Sequence, residues 1–191
     1  MDPVRRDEIL AAVVEEAERA NRVTRQLTDL ARGKDVVLAT IDLCSCVDGL
    51  APSLSRMADA NGVALRLDLA APRASVRAEQ TLLERAVTNL VANAVDASAR
   101  GSVVDLAVRA GPGSVALEVS DRGAGVPPEL EERLFDPFFT TKEAGGGTGL
   151  GLAVVAMAAE LFGGQAFVRP REGGGARFVV ELPPADRGAP S

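Results

Sequence analysis

Residues 84–98, ERAVTNLVANAVDAS, decide how the rest of the chain is read. On a helix, Asn89, Asn93 and Asp96 fall at i, i+4 and i+7 and share one face, while Leu83, Val87, Leu90, Val91 and Ala94 fill the opposite one. The stretch therefore predicts a helix that is core on one side and amide on the other. Two carboxamides one turn apart can offer side-chain oxygens to a hard divalent cation such as Mg²⁺, which is commonly shared between protein oxygens and phosphate. Taken alone, the same pattern is an ordinary amphipathic helix with a polar surface. Two glycine-rich turns further along shift the balance towards a ligand site.

The first turn is Asp121–Gly125, DRGAG, directly after a run that reads as a strand. Glycines at 123 and 125 let a planar ligand approach the backbone, and a strand-end carboxylate accepts a hydrogen bond from an exocyclic amine, which favours adenine over guanine. By itself, DxGxG is a common Asp-Gly turn. The second is Gly145–Leu152, GGGTGLGL, which runs straight into an apolar helical stretch at 150–162. Glycines there expose backbone N–H groups at a helix N-terminus, where phosphate is favoured. Neither a GxxxxGK[ST] loop nor a GxGxxG fingerprint occurs, so any phosphate site is of another class. Between the turns lies FDPFFTTK, 135–142, half of the chain's six phenylalanines in eight residues, which reads as a loop plugged into the body with Lys142 free to reach a phosphate.

Working outwards, the 191 residues fit one domain with an appendage, and 47% hydrophobic content suffices for an aliphatic core. The charge balance, 27 carboxylates against 21 Lys and Arg, offers no basic surface for nucleic acid. No apolar run reaches membrane-spanning length and no signal pattern opens the chain, so a soluble, cytoplasmic protein is expected. Cys44 and Cys46 cannot complete a zinc site without further Cys or His. The chain has no histidine, so these residues supply no imidazole base and no phosphohistidine.

Residues 5–32 predict one long helix, with Ile9, Val13, Ala20, Val23, Leu27 and Leu30 near a heptad stripe broken by Glu16. A connector over 33–40 leads to a second helix, from an Asp42 N-cap to Ala60, closed by Asn61 and Gly62 in a left-handed C-cap. Strands are predicted over 63–69 and 74–77, then the Asn helix over 78–98, a hairpin of 103–109 with 115–120, a short helix at 127–134, an irregular stretch over 135–149, the helix at 150–162, a second hairpin of 165–169 with 176–182 across a Gly-rich turn, and a loose tail from 183. Interspersed helices and hairpins predict an α+β fold, a two-layer α/β sandwich with a mixed sheet and helices on one face.

The order NLVANAVDA, DRGAG, FDPFFTTK, GGGTGLGLA resembles the N, G1, F and G2 boxes of the catalytic ATP-binding domain of bacterial sensor histidine kinases, in particular the short-lid, nitrogen-regulator type. The likeness covers residues 41–182. It implies the Bergerat fold, preceded here by a long N-terminal helix, with ATP and Mg²⁺ as cofactors. It implies metal on Asn93, adenine on Asp121, and Asn89, Lys142 and Thr148–Gly151 about the phosphates, with Asn89 and Lys142 in catalytic roles. Asp96, Gly123, Gly125, Val126, Thr148, Gly149, Leu150, Gly151 and Leu152 complete the expected cofactor site, with a lid between Val126 and Gly147. Hydrolysing and serine-directed members of that superfamily place a Glu four residues before the metal-binding Asn; here that residue is Asn89, which cannot act as a base at neutral pH. Phosphoryl transfer to an imidazole by positioning and charge neutralisation then remains.

EEAERANRVTRQLTDLAR, 15–32, resembles the second helix of the dimerisation and phosphotransfer hairpin of that family, without the first, histidine-bearing helix. The expected layout is therefore 1–40 as that helix and connector, 41–183 as catalytic domain and 184–191 as tail. Transfer in cis is excluded; the expected partners are ATP, a histidine-bearing phosphotransfer helix on another polypeptide, a response regulator, and a weak homodimer through the N-terminal helix. A regulatory module that binds nucleotide without kinase activity and docks through residues 5–32 is the competing reading, and a serine kinase or ATPase of the same fold is a third that Asn89 disfavours.

Overall fold

The computed structural model describes residues 37–72, 74–111, 113–141 and 148–185. The helix expected over 5–32, Lys142, Gly145–Gly147 and residues 186–191 lie outside the described residues.

Among the described residues, three α-helices, a five-stranded sheet and a two-stranded one build the body. Strand β1 (Ala39–Asp42) leads into α1 (Leu43–Ala60), then come β2 (Ala64–Asp68), β3 (Ser75–Ala78), α2 (Gln80–Asp96), β4 (Val103–Ala110), β5 (Val115–Ser120), α3 (Gly151–Leu161), β6 (Gln165–Pro170) and β7 (Ala176–Leu182). The main sheet runs β2-β4-β5-β7-β6, with β2 parallel to β4 and every other neighbour antiparallel, which is the mixed sheet the hairpin pattern predicts. Alternation sorts its faces. Val104, Leu106, Val108, Leu117, Val119, Phe178 and Val180 join the core beneath the helices. The outer face carries charged residues such as Arg66, Asp105, Glu118 and Arg177, paired with one another in place of a third layer.

The central helix behaves as its periodicity dictates. Leu83, Ala86, Val87, Leu90, Val91, Ala94 and Val95 are buried, whereas Asn89 and Asn93 are only half-buried and Asp96 is exposed. Both α1 and α2 start on a carboxylate cap: Asp42 accepts from the Ser45 N–H at 2.7 Å, and Glu79 accepts from the N–H groups of Thr81 and Leu82 at 3.0 and 2.7 Å. Glu79 is held below the usual carboxylate range: its partial burial pushes the other way, but those backbone donors outweigh it.

Four local expectations change. The connector read up to Thr40 already contains β1, which pairs antiparallel with β3 in a separate two-stranded sheet. That pairing joins segments far apart in the chain, so no local alternation announces it. At the end of α1 the left-handed residue is Gly62 (φ 71°), while Asn61 stays right-handed. The helix expected over 127–134 is two short 3-10 turns, Pro128–Leu130 and Arg133–Phe135. The tail is not loose at its start, because Pro184 bridges to Val76 and the Ala185 N–H donates to the Ser75 carbonyl at 2.7 Å.

Candidate functional site

A cleft of about 420 Å³ opens where the polar face of α2, the end of β5 and the start of α3 converge. Asn89, Asn93, Asp96, Asp121, Gly125, Val126, Thr148, Gly149, Gly151 and Leu152 all line it, joined by Leu134, Phe139, Ala176 and Phe178. Segments separated by some sixty residues in the chain thus share one surface.

Asp121 is the most constrained of these groups. It is 1% exposed, and its Oδ1 accepts from the Gly123 N–H at 2.8 Å and from the Ala176 N–H at 3.2 Å. Its own N–H donates to the Ala176 carbonyl at 2.9 Å. Two donors on one oxygen fix the carboxyl plane and leave Oδ2 outside those two bonds, in a residue that lines the cleft.

The glycines do different work from one another. A Cβ on Gly123 would lie 2.3 Å from the Ala97 carbonyl oxygen, so this glycine seats the loop against the end of α2 and does not line the cleft. Gly149, at φ 65°, lies so close to the 138–139 backbone that a Cβ would meet the Phe138 carbonyl carbon at 2.5 Å. Leu150 is fully buried and acts as core, not as cleft wall. Gly123 and Leu150, both expected at the cofactor site, are not among the residues that line the cleft; their packing holds the neighbours that do.

At the second glycine-rich turn, α3 starts after Leu150 with no side-chain cap, unlike α1 and α2. The Leu150 N–H donates to Thr148 Oγ1 at 3.4 Å, and a helix start without a cap is a place where the helix dipole favours an anion. Asn89 reaches this turn directly, its Nδ2 donating to the Gly151 carbonyl at 3.2 Å. That bond occupies the amide nitrogen and leaves the Oδ1 outside it.

The phenylalanine segment is anchored by two of its three rings. Phe135 packs edge-on against Phe178 at 6.5 Å, and the Arg133 guanidinium lies 4.7 Å over the Phe139 ring. Phe138 instead is 58% exposed, with a φ of 67° that is rare for a bulky residue; its N–H donates to the Gly149 carbonyl at 3.0 Å.

Gly175, on the turn before β7, and Ala176, the first residue of β7, were missed by the sequence reading, which saw only a Gly-rich hairpin turn. Gly175, at φ 92°, packs so tightly that a Cβ would sit 2.2 Å from the Asp121 carbonyl oxygen. Three successive glycines, more than a hairpin turn requires, were the available signal.

Among the described residues no group of three or more His, Cys, Asp or Glu could hold a metal ion. The donor set nonetheless fits Mg²⁺ brought in with phosphates, since Asn89 and Asn93 present neutral oxygen donors and a hard cation needs few of them when phosphate supplies the rest. No helix among the described residues is long and apolar enough to cross a membrane.

A mixed sheet with helices on one face and a cleft between that layer and one end of the sheet defines the class of ATP-binding domains found in sensor kinases. The chain belongs to the histidine kinase-, DNA gyrase B-, and HSP90-like ATPase family, which matches residues 78–186. Among curated proteins it is 32% identical over 176 residues to the sensor histidine kinase ZraS of Escherichia coli O157:H7, covering 92% of this chain and 38% of that protein. It is 34% identical over 181 residues to the C4-dicarboxylate transport sensor protein DctS of Rhodobacter capsulatus, covering 92% of this chain and 27% of that protein. The chain thus spans well under half the length of these relatives. Among solved structures, the mycobacterial sensor histidine kinase MprB aligns with a TM-score of 0.68 at 26% identity over 77% of this chain and 97% of that one. Full-length ShkA in complex with AMPPNP aligns with a TM-score of 0.79 at 28% identity over 97% of this chain and 40% of that one. The resemblance to sensor histidine kinases and the ATP-binding fold expected from the sequence are both borne out.

Proposed function

We propose that this chain binds Mg²⁺-ATP in the cleft and transfers its terminal phosphate to a histidine on another polypeptide. The observation that carries the reading is the convergence of Asn89 and Asn93, Asp121, and the uncapped start of α3 on one cavity large enough for a nucleotide. Asp121 accepts the exocyclic amine of adenine, with Gly125, Val126, Ala176 and Phe178 around the base. Asn93, with Asn89 beside it, offers oxygen to Mg²⁺, and Asp96 borders the same side. Thr148, Gly149, Gly151 and Leu152 surround the phosphates, and Lys142 is the further cation proposed for them. Bound Mg²⁺ neutralises charge on the phosphates as the terminal group departs.

In this reading the chain's own residues position and neutralise, and none of the described residues is assigned the part of a general base. Position 89 holds a carboxamide whose nitrogen is engaged with Gly151, so water and hydroxyl acceptors receive no base from it. An imidazole needs no such help. The 191 residues contain no histidine, so the acceptor lies outside them; a histidine-bearing helix is proposed for it, with a response regulator as the later recipient. Residues 1–40 are proposed to be a dimerisation helix and connector, 41–183 the catalytic domain and 184–191 a tail.

Titration calorimetry of ATP with and without Mg²⁺, followed by incubation with radiolabelled ATP and a histidine-bearing helical hairpin, tests the reading. Magnesium-dependent binding with acid-labile label on the hairpin is the expected result. Tight binding with no label on any hairpin offered would instead favour a regulatory nucleotide-binding module, and fast ATP hydrolysis would overturn the role given to Asn89.

A further inference from the structure

Arg122 stands at the one position of DRGAG to which neither the motif nor the cleft assigns a task, and it does not line the cleft. Side chains alternate across a strand end, so Asp121 turns inwards to the helices and Arg122 turns to the outer face of the sheet. Register places Asp105 of β4 opposite Ser120, beside this point. The Arg122 guanidinium forks there: Nη1 donates to the Val103 carbonyl, and Nη2 donates to Asp105 Oδ2 at 2.8 Å. Asp105 Oδ1 in turn lies 3.5 Å from Arg66 on β2.

The side chains of Arg122 and Asp105 are 31% and 29% exposed, whereas those of Arg109 and Asp68, paired at the other end of β4, are 52% and 53% exposed. Water therefore screens the Arg122 pair less. On its inner side the 121–125 loop rests on close approaches that admit no Cβ, at Gly123 and Gly175. On its outer side the Arg122 fork is the tether. The β4–β5 ladder runs complete from Asp105 to Ala110 without it, so the fork restrains the loop more than the sheet.

We propose that Arg122, through Asp105 and the Val103 carbonyl, is a positioning residue that presets Asp121 for the nucleobase from the far side of the sheet. This inference rests on the reading of Asp121 as the base acceptor. Loss of the fork lets the loop depart from the geometry that binds ATP, while the core stays folded. Because Arg122 and Asp105 act as one unit, their effects do not add.

The test measures Mg²⁺-ATP affinity by calorimetry for Arg122→Met, Asp105→Asn, the double variant, and Arg109→Met as a control on the same strand. Each of the first two should weaken binding about fivefold, the double variant little more than either, and the control not at all. Hydrogen exchange over residues 121–126 in nucleotide-free protein should quicken in Arg122→Met, in Asp105→Asn and in the double variant, and stay at the wild-type rate in Arg109→Met. Wild-type affinity in Arg122→Met, or strictly additive losses in the double variant, would overturn the proposal. Asp121→Asn measured alongside separates the two ideas: if it weakens binding and Arg122→Met does not, only the positioning role falls; if it binds like wild type, the base-acceptor reading falls. Should Arg122→Met fail to fold, Asp105→Asn, which leaves the bond to Val103, carries the same criterion.

Discussion

Replacing Asp121 by Asn separates what this residue does for the fold from what it does for a ligand. In the fold, one oxygen receives the N–H groups of Gly123 and Ala176, at 2.8 and 3.2 Å, at a site only 1% exposed. An amide oxygen can receive both, so Asp121→Asn should cost stability no more than about 1 kcal/mol, the difference between charged and neutral acceptors. The second oxygen becomes an NH₂ group, which cannot accept from the exocyclic amine of adenine. Losing one hydrogen bond to a charged group, about 1.5–3 kcal/mol, corresponds to a weakening of roughly 10- to 100-fold in ATP affinity. Asp121→Ala behaves differently, because both N–H groups then lose their acceptor at about 1–3 kcal/mol each, and stability and binding should fall together. Chemical denaturation and calorimetric titration of the two variants give the comparison. If Asn binds ATP as tightly as Asp, or destabilises as much as Ala, the assignment of the second oxygen to the base is wrong.

Gly175→Ala, with a Cβ 2.2 Å from the Asp121 carbonyl oxygen and a left-handed backbone, should lose about 3 kcal/mol of stability and weaken ATP binding as well; a thermal melt within a degree of wild type would contradict the packing described. Glu79→Ala removes the cap of α2 and should cost about 1 kcal/mol at neutral pH. Since the folded carboxyl is held below its ordinary value, its contribution is present above the unfolded pKa and lost as pH falls through the folded one, so the wild-type advantage over the variant should vanish in acid; denaturation curves across that range check the sign. The Cys46 thiol is pushed up to about 11 by burial and then by Glu84, so its contribution is present below the unfolded value of 9.0 and lost as pH rises through about 11. In native protein at pH 8 Cys46 should stay silent to a thiol reagent that labels it after unfolding; equal rates in both states would refute this burial.

The parts of the site carried by one element's own periodicity were legible without coordinates. A 3.6-residue repeat put Asn89, Asn93 and Asp96 on one face of a helix, and glycine clusters after a strand and before a helix marked the two turns that border the cleft. The parts set by through-space pairing were not. Nothing local shows that the Ala97 carbonyl sits against Gly123 or that the Leu150 side chain is buried in the core. The pairing of β1 with β3 unites two four-residue strands too short for alternation to identify the first, and the strand order β2-β4-β5-β7-β6 follows from no local pattern.

The amino-acid order alone thus determined the three helices, the strands of the main sheet, the faces they bury and the family to which the chain belongs, because each is written in spacings a few residues long. Only the tertiary structure decided that Ala176 and Gly175 hold Asp121 from one side and Arg122 braces its loop from the other. Those contacts depend on the register of β4 with β5 and of β5 with β7, and register is settled when strands from distant parts of the chain pack together.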